Sequence, residues 1–324
     1  MYYPEAIEEI CYDPKHLDKV LCAIKDKFSH YFDTFIETKA GTIITAEKFA
    51  ATAKQLNVNI KVGKKNIDKG DYFTEIIDEA IIEFEEDRNK YIEILDLEAL
   101  EEHEIDPKNF KNTVLKNRCP IIHHTLLNKK AKELDKYRAA FSAAKAEELL
   151  SVTKNLTEFA IQYFQNSYNE KTYEQFSQIE EMGLSALDEE GYTAYGVIGG
   201  GIKSHFLYKL NPSIFPNRSR ESVWALWYLT NKKSYDCKQD SEFLMIKIKD
   251  NSIQQNYFYP YQLFAFYAYN IYLLLKMEAE KYSVKIDSDY RYVIVDKFLS
   301  YVAQEHATEI AVLSKKDTEY GYGS

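Results

Sequence analysis

The chain contains few residues that interrupt a helix, with 11 glycines and 7 prolines among its 324 residues. Turn-rich all-β folds need many more of both, whereas long helices tolerate few of either. Apolar residues make up 45% of the chain and charged residues 28%, which is typical of a packed core rather than of disorder. The sequence therefore predicts a mainly α, two-lobed helical protein with a small β element in its C-terminal half.

The first half of the chain has mostly helical periodicity. Apolar residues recur at helical spacing over 14–30, 46–56 and 75–106, residues 126–168 contain neither glycine nor proline, and residues 57–62 alternate like a short strand. The polar stretch 166–171 is the best candidate boundary between two halves. We therefore expect an acidic helical region over 1–168 and a second helical domain over 169–324.

The second half combines predicted helices with the predicted β element. Helices are expected over 172–187, 260–281 and 296–313, and strands over 242–249 and 290–295. Phe243–Ile248 and Tyr292–Val295 are expected to pair as a small sheet against the helices.

One stretch, 251–275, carries no charged residue and requires a membrane check. It contains six tyrosines as well as Gln262 and Asn270, and a spanning helix would bury these polar groups in hydrocarbon. A central helix of a water-soluble core is the better interpretation. The N-terminal sequence has neither the basic start nor the apolar run of a secretion signal, so we expect a cytoplasmic protein without a membrane partner.

The segment 192–239 differs in charge from the rest of the chain. It contains seven lysines and arginines against Glu221 and Asp236, a net charge of +5 in a chain whose total is −10. Four of the 11 glycines fall within six residues of it, from Gly196 to Gly201. Glycines that open a helix leave backbone N–H groups accessible, and the helix N-terminus attracts anions.

This segment predicts binding of a phosphate-bearing ligand, with nucleic acid or a nucleotide as the expected partner. Two helix starts that carry cations can grip successive phosphates of a backbone. The predicted binding residues are Gly199, Gly200, Gly201, Lys203, Ser204, Arg218 and Arg220. The alternative is a packing role without a ligand, in which the glycines only allow two helices to cross closely.

Known phosphate-binding motifs do not fit the segment. Gly199–Ser204 ends in Lys-Ser like a P-loop but lacks the first glycine at the required offset. The segment is faintly similar to the helix-hairpin-helix of DNA-repair glycosylases, although Arg218, Ser219 and Arg220 stand where that family has an aspartate near the later helix start. This departure places base excision in doubt.

An enzymatic role, as a metal-dependent nuclease or as a base-acting DNA enzyme, is one alternative. His205 lies beside the glycine turn and is a weak candidate for a general base. Asp240 and Glu242 are weak candidates for a metal-dependent nuclease, and only in that case is a cofactor, Mg²⁺, expected. The sequence leaves open whether the protein is an enzyme.

A second alternative is a non-catalytic interaction module. Residues 75–106 contain fourteen acidic residues against Arg88 and Lys90, which gives an amphipathic helix with an anionic face that could dock a protein partner.

The sequence assigns no resident metal site. Cys11, His16, Cys22 and His30 can be written as four ligands, but their spacing matches no zinc motif. Buried thiols and surface histidines are the preferred interpretation.

Overall fold

The computed structural model describes residues 9–39, 68–131, 134–235, 237, 241–247 and 252–319. Within these ranges α-helix predominates, which confirms the predicted mainly α class. The helix predicted over 46–56 and the strand predicted over 57–62 lie outside the described residues. The division into two lobes and its boundary near 168 stay predictions.

The first helices begin where short polar side chains or prolines favour a helix start. They are α1 (Pro14–Lys39), α2 (Lys69–Ile94), α3 (Leu97–Glu102), α4 (Pro107–Asn109) and α5 (Pro120–Leu127), with a π-helix at Phe110–Arg118 between the last two. Asp68 caps α2 by accepting a hydrogen bond from the Gly70 N–H at 2.8 Å, and Asp96 caps α3 in the same way. The acidic stretch predicted as one helix is therefore divided at residues 95 and 96.

The middle of the chain changes from long helices to short turns. It contains α6 (Asp135–Ala143), α7 (Ala146–Asn166), α8 (Glu170–Tyr173) and 3-10 turns at Ile179–Met182, Ser185–Asp188 and Glu190–Tyr192. The prediction of one helix over 172–187 is wrong. Gly183 has φ +62°, a left-handed conformation that ends the first of these turns and prevents one continuous helix.

The C-terminal half is built from long helices and two short strands. These are α9 (Gly200–Leu210), α10 (Arg220–Leu229), β1 (Leu244–Lys247), β2 (Ser252–Gln255), α11 (Tyr261–Lys281), α12 (Arg291–Glu305) and α13 (Ala307–Glu319), with a 3-10 turn at Ser288–Tyr290. Strands β1 and β2 are antiparallel, with Leu244 opposite Gln255, and no third strand joins them in the described chain.

The sheet expected between residues 243–248 and 292–295 is not formed, because Tyr292–Val295 lies within α12. All four of its residues are buried. Helix α12 packs against α10, α11 and α1, so this part of it is covered from several sides. A short continuous apolar run of this kind has no periodicity that separates a buried helix from a buried strand.

Helix α11 lies at the centre of the core. Leu263, Phe264, Ala265, Tyr267 and Ala268 have no exposed surface, so the helix is covered on every side over its first two turns. The interpretation of the uncharged stretch as a central core helix is thus confirmed for residues 261–275. No described helix combines the length and the apolar character required to cross a bilayer.

Helix α1 connects the first part of the chain to the last. It packs against α2 and also against α10, α11 and α12. Its apolar residues Val20, Ile24 and Phe28 therefore belong to the same buried cluster as the residues of α11. This packing places the start of α1 next to the connection between α10 and β1.

Candidate metal centre

Four side chains from opposite ends of the chain meet beside the start of α1. They are Cys11, His16, Cys237 and Glu242, and one ligand atom from each lies within 4.8 Å of the others. Cys11, His16 and Glu242 are buried and Cys237 is half-buried. Thiols, an imidazole and a carboxylate are the group types that bind zinc in proteins, so this largely buried cluster is a candidate metal site.

Local turns position these side chains. Cys11 lies in a 3-10 turn at Glu9–Tyr12, and His16 is the third residue of α1. On the other side, the chain turns back after α10 through Tyr235, which has a positive φ of 47°. This turn presents Cys237, and Glu242 lies two residues before the start of β1.

The ring of His16 is held at both nitrogens. Its Nδ1 donates to the backbone carbonyl of Tyr235 at 3.0 Å, because a carbonyl oxygen can only accept. Its Nε2 lies 2.7 Å from Oε2 of Glu242. A metal-binding histidine commonly has one ring N–H on a carbonyl and the other nitrogen directed at the ion. In His16 the first of these contacts is present, and the other nitrogen is directed at Glu242 within the cluster.

The distance between the two sulfur atoms fits a tetrahedral ion. Sγ of Cys11 and Sγ of Cys237 are 3.8 Å apart. With a zinc–sulfur bond of about 2.3 Å, two thiolates at adjacent corners of a tetrahedron lie about 3.8 Å apart. Nε2 of His16 and Oε2 of Glu242 are closer together, and these two atoms would move apart by about half an ångström to bind the same ion.

The electrostatics of the cluster favour a cation. The hydrogen bond with Cys237, together with burial and the charge of Glu242, raises the pKa of the Cys11 thiol. Burial lowers the pKa of His16, but the hydrogen bond to Glu242 and its charge outweigh this effect, so the pKa lies above its usual value. A divalent ion reverses this balance, since it favours deprotonated thiols and a neutral imidazole.

Hydroxyl groups surround Glu242. The Tyr259 hydroxyl lies 3.5 Å from Oε1 of Glu242, and the side-chain amide of Asn256 donates to the Glu242 backbone carbonyl at 3.0 Å. The hydroxyl of Tyr267 is also buried near this carboxylate, and burial, followed by the charge of Glu242, raises the pKa of Tyr267. Tyr259 therefore contacts the carboxylate oxygen that does not face His16, and Asn256 holds the backbone of the same residue.

Sequence reasoning did not find this set. It considered Cys11 and His16 with Cys22 and His30, but Cys22 and His30 are exposed further along α1. The signal is a repeated spacing, because four residues separate Cys11 from His16 and four separate Cys237 from Glu242. Two such pairs, each on one turn of chain, can supply two ligands each. Glu242, a weak nuclease candidate, belongs to this set, whereas Asp240 lies outside the described residues.

Part of the glycine-rich segment does come together. Gly199 precedes α9, Gly200 and Gly201 open it, and the buried Ser204 accepts a hydrogen bond from the Arg218 backbone N–H at 3.0 Å. The guanidinium of Arg218 lies against Gly200.

The other cations of the segment lie apart from this group. Arg220 is exposed and donates to the hydroxyl of Ser314. Lys209 is buried, 2.6 Å from a carboxylate oxygen of Asp87. Arg220 and Lys209 are thus engaged with other parts of the chain, and nucleic-acid binding stays a prediction.

His205 lies away from the glycine turn. Its ring packs edge-on against Tyr91 at 5.0 Å between centroids. Burial lowers the pKa of His205 to about 4, so its ring is neutral at pH 7. It borders a cavity of about 760 Å³ that His123 and His124 also line. The structure therefore separates His205 from Lys203 and from Glu242.

The acidic helices hold some of their carboxylates in ion pairs. Glu83 of α2 lies 2.5 Å from Lys297, and Glu93 of α2 lies 3.0 Å from Arg118. Exposed pairs of this kind contribute little to stability and leave the face anionic. A protein partner for this face stays a prediction.

Comparison with protein-family models, with curated proteins and with solved structures finds no match to this chain. The function is therefore argued from the geometry of the sites.

Proposed function

We propose that this protein is a metalloprotein that binds one divalent ion of the zinc class through Cys11, His16, Cys237 and Glu242. The observation that carries the proposal is the convergence of four ligand atoms within 4.8 Å from two distant parts of the chain. Soft thiolates and an imidazole select zinc over magnesium or calcium, which prefer sites made of oxygen ligands alone.

The role of the ion is structural. Structural zinc sites have four protein ligands, whereas catalytic sites keep a position open for water or substrate. Here four protein ligands are available, which is the number that a closed structural site requires, and three of them are buried. The ion would fasten the start of α1 to the connection between α10 and β1, so that the first helix is held against the C-terminal half.

The test is metal content together with cobalt spectroscopy. Wild-type protein, expressed with zinc and dialysed against metal-free buffer, is expected to retain about one zinc ion per chain by mass spectrometry. Replacement by Co²⁺ is expected to give the thiolate-to-cobalt charge-transfer band and the visible bands of tetrahedral cobalt.

Matched variants identify the ligands. Cys237→Ser and His16→Gln are expected to lose the ion. Cys22→Ser and His30→Gln change the same residue types at exposed positions of α1 and are expected to keep it. Wild-type protein without stoichiometric metal, or Cys237→Ser protein with an unchanged cobalt spectrum, would show that the cluster is no metal site.

A further inference from the structure

The N-terminus of α9 is open to a ligand. Gly199 provides no side-chain hydrogen bond to the helix, and the first N–H groups of a helix have no partner within it. A Cβ atom built on Gly199 would meet nothing within 4 Å, so the space in front of the helix is free on this side. The helix has eleven residues, and its dipole adds partial positive charge at this end.

A buried arginine points at the same place. Arg218 is only 3% exposed, and its guanidinium packs on Gly200, the first residue of the helix. Its Nη2 donates to the Asn256 carbonyl at 2.6 Å, but its Nε has no hydrogen-bond partner. An unpaired charged donor in a buried position costs free energy unless a ligand satisfies it.

The charges around this helix end do not balance. Lys203, on the first turn of α9, is buried and donates to the Leu187 carbonyl. Asp188 is the carboxylate that offsets Lys203 and Arg218, and it also accepts from the N–H groups of Tyr261 and Gln262 at the start of α11. Two cations and a helix N-terminus thus share one carboxylate, which leaves an excess of positive potential.

We propose that the N-terminus of α9, with Arg218 and Lys203, binds a phosphate group, either free or at the end of a small phosphate monoester. The N–H groups of the first turn and the free Nε of Arg218 supply the donors, and the excess positive charge supplies the attraction. This site shares no residue with the proposed metal centre.

A terminal phosphate fits this site better than a polynucleotide does. Lys203 and Arg218 are buried near the helix start, so they favour a single phosphate held there and present little surface along which a nucleic-acid backbone could lie. A nucleic-acid backbone needs a row of exposed cations, and Arg220, the exposed cation next to Arg218, is engaged with Ser314.

The test is isothermal titration calorimetry with inorganic phosphate, adenosine monophosphate, adenosine and a single-stranded oligonucleotide that lacks terminal phosphates. Phosphate and adenosine monophosphate are expected to bind, and adenosine is not. Binding by phosphate alone points to the free anion as ligand, and tighter binding by the monophosphate points to the monoester. Because Asn256 contacts both Arg218 and Glu242, each titration is made on metal-loaded and on chelated protein.

Two glycines of the same turn provide a matched pair of variants. A Cβ at Gly200 would fall 2.9 Å from Cζ of Arg218 and displace the guanidinium, whereas a Cβ at Gly201 would meet only the Arg218 carbonyl, at 3.9 Å. Gly200→Ala is expected to weaken phosphate binding about tenfold or more, and Gly201→Ala less than about twofold. Lys203→Met keeps the buried volume, removes one charge and is expected to weaken binding similarly.

Circular dichroism and metal content of the same samples show whether each variant is folded and whether its metal centre is intact. The proposal is overturned if neither phosphate nor the monophosphate binds to wild-type protein, or if Gly200→Ala and Lys203→Met bind as wild type does. Oligonucleotide binding that is lost in Arg220→Ala would also overturn the proposal, because it would place the binding site in a surface groove.

Discussion

Removal of the metal ion is expected to lower the melting temperature of the protein by about 6 °C. The perturbation is a zinc chelator added to wild-type protein, or the substitution Cys237→Ser, which removes one ligand without enlarging the residue. Both leave the helices in place and release the start of α1 from the connection between α10 and β1.

The magnitude follows from the position of the ligands in the chain. Cys11 and Cys237 are 226 residues apart, so the unfolded chain does not gather the ligand set, and the ion stabilises the folded state. At a free metal concentration 1,000 times the dissociation constant, this linkage contributes about 4 kcal/mol. The entropy of unfolding is about 0.7 kcal/mol/K for 324 residues. Dividing about 4 kcal/mol by this entropy gives a shift in melting temperature of about 6 °C.

The assay is thermal unfolding followed by circular dichroism, with zinc added and with zinc chelated. Wild type and the control Cys22→Ser should show the shift, whereas Cys237→Ser should melt at the lower temperature under both conditions. A Cys237→Ser protein that still responds to zinc, or a wild type that does not, would refute the reasoning.

Three further predictions concern the thiols, an acidic residue and the core. Chelated protein treated with a mild disulfide oxidant should form a bond between Cys11 and Cys237, whose sulfur atoms are 3.8 Å apart, and bound zinc should protect both thiols; peptide mapping without reduction detects the link. Burial raises the pKa of Asp296 to about 7, so the free energy of unfolding should fall by a few kcal/mol as the pH rises from about 4 to about 7. Asp296→Asn should remove this dependence in urea titrations across that range. Trp224 is 1% exposed, and Trp224→Ala should lower the free energy of unfolding by about 3–5 kcal/mol, against less than about 1.5 kcal/mol for Trp224→Phe, measured in the same titrations.

The fold could be predicted from the sequence where the signal is local. The scarcity of glycine and proline predicts helices, and the helix predicted over 260–281 begins within one residue of α11. The prediction fails at 290–295, where the apolar run shows no periodicity and burial by neighbouring helices decides the structure.

The grouping of the cations could not be predicted in the same way. The net charge of a segment does not show on which side of the folded protein each charged side chain lies. Lys203 and Lys209 are six residues apart on α9, which is about 240° around a helix, so their side chains leave on different sides. One meets the Leu187 carbonyl and the other meets Asp87 of α2.

The metal ligands were missed for a related reason. Each pair of ligands is local and has the same spacing, but the two pairs lie 226 residues apart. A spacing of this length carries no signature in a single sequence, because tertiary packing of α1 on the C-terminal helices brings the pairs together.

The packing of α1 also sets the order of events during synthesis. Ribosomes add about 5–20 residues per second, so Glu242 is made about 11–45 s after His16. For most of that interval α10 has not been made, and α11 and α12 are absent throughout, so the part of the apolar stripe of α1 that packs on them, including Val20 and Ile24, lacks these partners. The nascent chain thus carries a helix with an exposed apolar face and an incomplete set of ligands until its last quarter is translated. The ion can therefore bind only late in synthesis.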